Sequence, residues 1–188
     1  MSLFSLKLNK GFTLVETLVA ISILSLSVAA TFSAVQNGIQ SSILSRDQIT
    51  AFYLAQEGLE FVKNIRDENA LKNVSGTSTN WLTYLVINTD GSSGPCDFGK
   101  TCTIDSLQKK VTECPLGGFN MCPNLNIYTP DLIYSQNTGQ SYAPTNFKRA
   151  LEFESISANE VLLTIWVSWI SNGVNMSAQF TELLFNQQ

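Results

Sequence analysis

The hydrophobic residues are concentrated near the start of the chain. Between Thr17 and Gln40 there is no Asp, Glu, Lys or Arg, and most positions from Phe12 to Val35 are apolar. As a helix rising about 1.5 Å per residue, the segment 12–35 is about 36 Å long, and the hydrocarbon core of a bilayer is about 30 Å thick. The pattern therefore predicts a membrane-spanning helix over residues 12–35.

Helical spacing continues after this segment, over residues 36–67, which contain no proline. The helical wheel gives two apolar stripes with a polar stripe between them. Two apolar faces require two partners, which we expect to be the protein's own sheet and a neighbouring helix; burial in a larger core is the alternative. The first apolar stripe consists of Phe52, Ala55, Leu59 and Val62, the second of Leu54, Phe61 and Ile65, and the polar stripe of Arg46, Tyr53, Glu57, Glu60 and Asn64.

The last part of the chain, residues 147–188, alternates apolar and polar positions, which predicts β-strands. Asn172-Gly173 is typical of a two-residue hairpin turn, so a three-stranded antiparallel meander is expected. Residues 68–146 are rich in Asn, Ser, Thr, Gly and Pro and predict loops with short strands. A long helix followed by an antiparallel sheet is an α+β fold. The inward face of the third strand is expected to carry Met176, Ala178, Phe180 and Leu184.

The residues around the start of the hydrophobic run suggest processing. Lys7 and Lys10 precede the run and favour a cytoplasmic N-terminus. Gly11 is a small residue before the run, so cleavage there would leave the helix in the mature protein; an uncleaved signal anchor is the alternative. Glu16 lies inside the run, where a carboxylate costs about 2.5–3.5 kcal/mol. Cleavage would create an amine on Phe12, one turn from Glu16, and pairing between subunits would fix their register.

The segment KGFTLVE, from Lys10 to Glu16, resembles the cleavage and methylation motif of type IV prepilins, which also occurs in pseudopilins of type II secretion. The resemblance implies that a prepilin peptidase removes residues 1–11 as a leader, cutting after Gly11, and methylates the amine of Phe12. It also implies that Glu16 guides subunit docking and that the fold is type IV pilin-like. Many pilins have a proline midway along this helix, whereas the first proline here is Pro95.

A second segment, Tyr53 to Asp67, is more loosely similar to the equivalent part of PilV-like minor pilins and the related type II secretion pseudopilins. The function implied is a structural subunit, a minor pilin, of a type IV pilus-like filament. Its partners would be other pilin subunits, the prepilin peptidase, the pilus assembly machinery and, before assembly, the lipid bilayer. The precursor would lie in the bacterial inner membrane and the mature subunit in an extracellular filament. The alternatives are a major pilin, a pseudopilin of a type II secretion or competence system, and a stand-alone membrane-anchored adhesin.

Four cysteines, Cys96, Cys102, Cys114 and Cys122, lie close together in the middle segment. Clustered, even-numbered cysteines in an exported protein indicate disulfides, and we favour sequential pairing among the three connectivities. Zinc is the competing interpretation, but the spacings lack a C-x2-C pair and the chain contains no histidine. No metal or other cofactor is therefore predicted.

Charge and composition exclude several functions. The net charge is −4, and the basic doublets Lys109-Lys110 and Lys148-Arg149 are expected to be solvated surface, so nucleic-acid binding is not predicted. Catalysis is not predicted either, because histidine, the G-x-S-x-G motif and a phosphate-binding loop are all missing. Composition therefore leaves a structural or binding role.

Overall fold

The computed structural model describes residues 11–115 and 118–187. A single helix, α1, runs from Leu14 to Val74 and thus continues beyond Asp67, where the sequence pattern was expected to end. The chain divides into two compact units, one ending at Ile43 and the other beginning at Leu44. The proposed leader, apart from Gly11, lies outside the described residues.

The second unit contains an antiparallel sheet in which β5 is central. The described strands are β1 Thr101–Asp105, β2 Lys110–Glu113, β3 Asn124–Tyr128, β4 Ile133–Ser135, β5 Tyr142–Ser157, β6 Glu160–Ser171 and β7 Val174–Phe185. One edge of β5 pairs with β6, which in turn pairs with β7. The other edge pairs with β3 near the start of β5 and with β1 further along β5. On their far sides, β3 pairs with β4 and β1 pairs with β2. The long helix and antiparallel sheet confirm the predicted α+β, type IV pilin-like fold.

The predicted C-terminal meander corresponds to β5, β6 and β7. The turn between β6 and β7 consists of Asn172 and Gly173, whose φ angles of 52° and 78° are those of a type I′ hairpin. This turn sets the register that brings Ser171 opposite Val174. Leu184 is buried, and Met176, Ala178 and Phe180 pack against the core, as the alternation of the sequence predicts.

The face of α1 that packs on the sheet is lined by small residues. A Cβ atom on Gly58 would lie 3.3 Å from Arg149 Cδ and 3.5 Å from Ile165 Cδ1, so glycine allows the closest approach of helix and sheet. Of the stripe predicted from Phe52, Ala55 and Val62 are buried and Leu59 packs against the core. Phe52 itself is 52 % exposed, whereas Leu54, which was placed in the second stripe, is 2 % exposed. A helical wheel finds an apolar face from its large residues, whereas close packing of a helix on a sheet requires small ones. The buried positions here include Ala51, Leu54, Ala55, Gly58 and Val62.

The middle segment contributes more to the core than its composition suggests. Leu85 and Val86, in the loop after α1, are almost fully buried, as are Ile104 in β1 and Leu125 in β3. The loop folds tightly, because a Cβ atom on Gly94 would lie only 2.6 Å from the carbonyl oxygen of Leu85. A region expected to be mainly loop therefore supplies four of the strands described here and part of the hydrophobic core.

Two disulfides anchor the middle segment. Cys96 is bonded to Cys102, which connects the loop to β1, and their Cα atoms are 5.1 Å apart. Cys114 is bonded to Cys122, which connects the end of β2 to the region after a short 3-10 helix, with Cα atoms 4.8 Å apart. All four cysteines are buried. The pairing is the sequential one of the three connectivities.

Candidate functional site

The start of α1 has a defined cap. The hydroxyl oxygen of Thr13 accepts a hydrogen bond from the backbone N–H of Glu16 at 3.3 Å. Thr13 is therefore the N-cap residue, and Glu16 is at the third helical position, where glutamate is favoured in a capping box. A carboxylate in the first turn is also stabilised by the helix dipole. The backbone N–H of Glu16 is thus capped by Thr13 before any neighbouring subunit arrives.

The sequence-predicted processing residues lie together at this helix start. Gly11 and Phe12 precede the first helical residue and are exposed, and Glu16 follows within the first turn. Phe12 is 77 % exposed, and the large apolar residues that follow it are also exposed. The structure therefore places the proposed cleavage bond outside the helix and the carboxylate inside it.

The first half of α1 exposes apolar side chains in all directions. Within the described residues, α1 is the one helix long and apolar enough to cross a membrane, and none of its apolar window is buried against the rest of the protein. A helix that is hydrophobic all round requires an apolar environment. Its exposed large residues include Leu14, Val15, Leu18, Ile21, Leu24, Val28, Phe32 and Val35.

Four hydroxyl groups of this segment are satisfied within the helix. Each of the four donates to a backbone carbonyl three or four residues earlier in the chain, so none of the four requires water in the hydrocarbon region. The helix continues through Gly38 without interruption. The donors and acceptors are Thr17 to Leu14 at 2.9 Å, Ser22 to Leu18 at 2.8 Å, Ser27 to Ile23 at 2.8 Å and Thr31 to Val28 at 2.9 Å.

A buried arginine, which the sequence analysis placed on the surface, fastens the second half of α1 to the sheet. Arg149 Nη1 donates to the carbonyl oxygen of Leu54 at 2.9 Å and to Glu57 Oε2 at 3.0 Å. Its Nη2 donates to the carbonyl oxygen of Ile104 at 3.0 Å. Burial lowers the pKa of Arg149, and the Glu57 carboxylate opposes that effect. One guanidinium group therefore links α1, β1 and β5.

The expectation that Lys148-Arg149 is a solvated doublet was wrong for Arg149, which is fully buried. Neighbouring residues on a strand point to opposite faces, and Arg149 shares its face with Leu151 and Phe153. Lys148 is on the other face, where its ammonium group donates to the carbonyl oxygen of Asn120 at 2.7 Å. The strand alternation was the signal that could have identified Arg149 as an inward residue.

Comparison with known protein families gives a match that includes the start of α1. Residues 6–32 match the family model described as the prokaryotic N-terminal methylation motif. The matched segment contains Gly11, Phe12 and Glu16. No curated protein and no solved structure gave a significant match. The match supports a type IV prepilin-like protein that is processed by prepilin peptidase and has a structural role. The similarity to PilV-like minor pilins stays a prediction.

Proposed function

We propose that this chain is a minor subunit of a type IV pilus-like filament, cleaved after Gly11 and methylated on the new amine of Phe12. The observation that carries the proposal is the combination of the matched motif with a helix exposed on all sides. Such a helix is compatible with lipid before assembly and with the apolar faces of other pilin helices afterwards. The protein therefore acts by assembly and not by catalysis.

The proposed precursor is a single-pass protein of the bacterial inner membrane. Lys7 and Lys10 would hold the N-terminus in the cytoplasm, because positive charge is retained on that side. The unit that begins at Leu44 would then face outward. Its two buried disulfides fit that compartment, since disulfides persist in oxidising environments and are rare in the cytosol.

Glu16 is proposed to select the docking register. After cleavage, the Phe12 amine of one subunit and the Glu16 carboxylate of another would form a charge-assisted contact in a region of low dielectric constant. The contact would offset the cost of leaving the amine and the carboxylate unpaired in an apolar environment. Thr13 caps the backbone N–H of Glu16, so the proposed contact uses the carboxylate of Glu16 and not its backbone.

Mass spectrometry of filaments sheared from cells tests the proposal. We expect an N-terminal peptide that begins with methylated Phe12, from a protein that is scarce relative to the main filament subunit. Dominance of the chain in the filaments would make it a major pilin, and processed protein confined to cells would indicate a pseudopilin. Recovery of intact Met1–Gly11 on protein that remains in the cell membrane would support a stand-alone anchored protein and contradict filament assembly.

A further inference from the structure

The sheet ends on one side in a long strand with no neighbour beyond it. β7 has 12 residues and, among the described strands, pairs only with β6, in a ladder without a shift of register. The strands at the other ends of the sheet, β2 and β4, have only 4 and 3 residues. β7 is therefore the one long terminal strand in the part of the chain that the structure describes.

The backbone groups on the free edge of β7 follow from the geometry of the hairpin. Beside a two-residue turn, the flanking residues, here Ser171 and Val174, exchange hydrogen bonds, and every second pair along the ladder does the same. The N–H of Asn186 donates to the carbonyl oxygen of Asn159 at 2.9 Å, which continues this alternation past the end of β7. The intervening residues of β7 therefore point their N–H and C=O groups away from β6. These residues are Asn175, Ser177, Gln179, Thr181, Leu183 and Phe185.

This edge lacks the features that usually protect a terminal strand. All six intervening residues are exposed, and within the described chain no backbone hydrogen bond reaches their outward groups. Natural sheets block such edges with lysine, proline or bulges, and none of these occurs between Val174 and Phe185. The charged residue Glu182 points inward, and its Oε1 lies 3.4 Å from Lys63 Nζ. The edge therefore offers six N–H and six C=O groups to another strand.

An apolar cavity lies beside this edge, between α1 and the sheet. It has a volume of 120 Å³, and its walls include Phe52 and Leu59 of α1 and Phe180 of β7. The rings of Phe52 and Phe180 meet edge to face, with centroids 5.8 Å apart. The ion pair between Lys63 and Glu182 shows that this side of α1 faces β7. Because Phe52 is half exposed, the cavity is open to solvent on this side, with room for one branched aliphatic side chain.

The edge and the cavity together select an extended polypeptide. In strand addition, the main chain of the partner pairs with the free edge, and alternate side chains of the partner enter pockets. In an antiparallel pair, residues opposite one another point to the same face of the sheet. Partner residues that hydrogen-bond to β7 would therefore lie on the outer face, beside uncharged side chains of β7. The partner residues between them would lie on the inner face, over the cavity.

A second copy of the chain is a less suitable occupant of this edge. Antiparallel pairing of β7 with β7 of another copy relates the two by a two-fold axis perpendicular to the sheet. The axis reverses the direction of α1, so the two Leu44 residues, at which the globular units begin, would lie at opposite ends of the pair. Two copies anchored in one membrane enter from the same side. The edge therefore favours a segment of a different protein.

We propose that β7 accepts, in antiparallel orientation, an extended segment of a partner protein. The segment is uncharged, polar on the outer face of the sheet and apolar on the inner face, and one of its apolar side chains fills the cavity beside Phe52 and Phe180. The site is separate from the processing motif and does not require the partner to be a pilin. Its test is therefore independent of the filament proposal.

The test uses the full chain in detergent and two short synthetic peptides in which threonine alternates with valine. One peptide is N-methylated on its valines and the other on its threonines, so each has only one edge able to pair and cannot stack into fibres. When valine enters the cavity, the N–H groups of the threonines face β7. The valine-methylated peptide should therefore bind at least about tenfold more tightly than the threonine-methylated peptide, as measured by calorimetry.

Three variants of the protein locate the binding site of the valine-methylated peptide. Gln179→Pro removes an outward N–H and should weaken binding at least about tenfold, and proline is tolerated on an edge strand where its nitrogen faces solvent. Phe52→Ser removes part of the cavity wall and should weaken binding about three- to tenfold. Phe98→Ser is the matched control, because Phe98 is a similarly exposed phenylalanine outside the cavity, and it should leave binding unchanged.

Several outcomes would overturn the proposal. These are binding of neither peptide, equal binding of both, tighter binding of the threonine-methylated peptide, or equal affinities for Phe52→Ser and Phe98→Ser. Dimerisation of the full chain that Gln179→Pro abolishes would assign the edge to a second copy and also overturn the proposal. If Gln179→Pro does not fold, the two methylated peptides and the two phenylalanine variants still decide the question.

Discussion

The two halves of α1 have the same backbone structure and opposite surroundings. The half that ends at Ile43 exposes its apolar side chains on every side and bonds four of its hydroxyl groups to its own carbonyls. The half after Leu44 buries one narrow face against a sheet and fastens it with Arg149. The first half depends on lipid or on other subunits, whereas the second depends on the rest of its own chain. Substitutions in the two halves should therefore have separable effects.

The largest expected effect belongs to the second half. Arg149→Ala should lower the free energy of unfolding of the globular unit by about 3–5 kcal/mol, because it leaves the Glu57 carboxylate and two carbonyl groups without their partner. Urea unfolding followed by tryptophan fluorescence measures this loss. Insertion of the protein into membranes should be unchanged.

A surface ion pair provides the control for Arg149. Lys63 Nζ lies 3.4 Å from Glu182 Oε1, and both side chains are partly exposed. Lys63→Ala should cost less than about 1 kcal/mol in the same assay. Equal losses for the two variants would show that the buried guanidinium has no special part in joining helix and sheet.

The disulfides should matter nearly as much, and also only for the second half. Replacing both Cys96 and Cys102 by alanine should lower the stability of the globular unit by about 2–3 kcal/mol, because a short loop in the unfolded chain is released. In the wild-type protein, alkylation without prior reduction should label none of the four cysteines. Labelling of all four under oxidising conditions would mean that this part of the protein does not reside outside the cytoplasm.

The first half is tested at Glu16. Glu16→Ala should reduce incorporation into filaments about 10- to 100-fold relative to co-expressed wild type, since a hydrogen bond to a charged group contributes about 1.5–3 kcal/mol. The stability of the globular unit should not change. The measurement is the ratio of the two proteins in sheared filaments when their membrane levels are equal.

Two neighbouring variants separate the charge of Glu16 from its position in the helix cap. Glu16→Gln keeps a capping-box residue but removes the charge, and Thr13→Ala removes the cap but keeps the charge. Docking through charge predicts that Glu16→Gln incorporates as poorly as Glu16→Ala and that Thr13→Ala incorporates well. The reverse order would assign Glu16 to helix capping.

The smallest effect is expected at the end of α1. Lys72 lowers the pKa of the Glu68 carboxyl through a hydrogen bond of 2.9 Å, so the pair stabilises the folded state above the carboxyl's ordinary pKa and loses that effect as the pH falls through the lowered value. Hydrogen exchange at Leu71 should be slightly faster in Glu68→Gln than in the wild type at neutral pH. This difference in exchange rate should disappear in acid, where the Glu68 carboxyl is protonated. If the difference persists in acid, the ion pair is not its cause.

Local chemistry made much of this structure predictable. The charge-free segment, the Lys10–Glu16 motif and the Asn172-Gly173 turn depend on residues close together in sequence, and the described structure has the helix and hairpin they predict. The place of Gly58 in the buried face of α1 was missed because glycine is required there by the short distance to the sheet, which a helical wheel does not contain. Periodicity identifies that a face is apolar more reliably than it identifies which residues make the closest contact.

The remaining features depend on long-range pairing. Arg149 contacts the carbonyl of Leu54 from a distant part of the chain. Short strands such as β1 depend on the strands beside them, here β2 and β5, so their own sequence carries little signal. Contacts of this kind become visible only when the fold is known.

The cap formed by Thr13 places the proposed cleavage bond outside the helix. Gly11 and Phe12 precede the first helical residue, so the peptide bond between them has no place in the ladder of helical hydrogen bonds. A peptidase that binds extended backbone could therefore reach this bond without unwinding the membrane segment. Cutting there would remove the leader and leave the first turn intact, so that the precursor and the mature subunit would share one helix boundary.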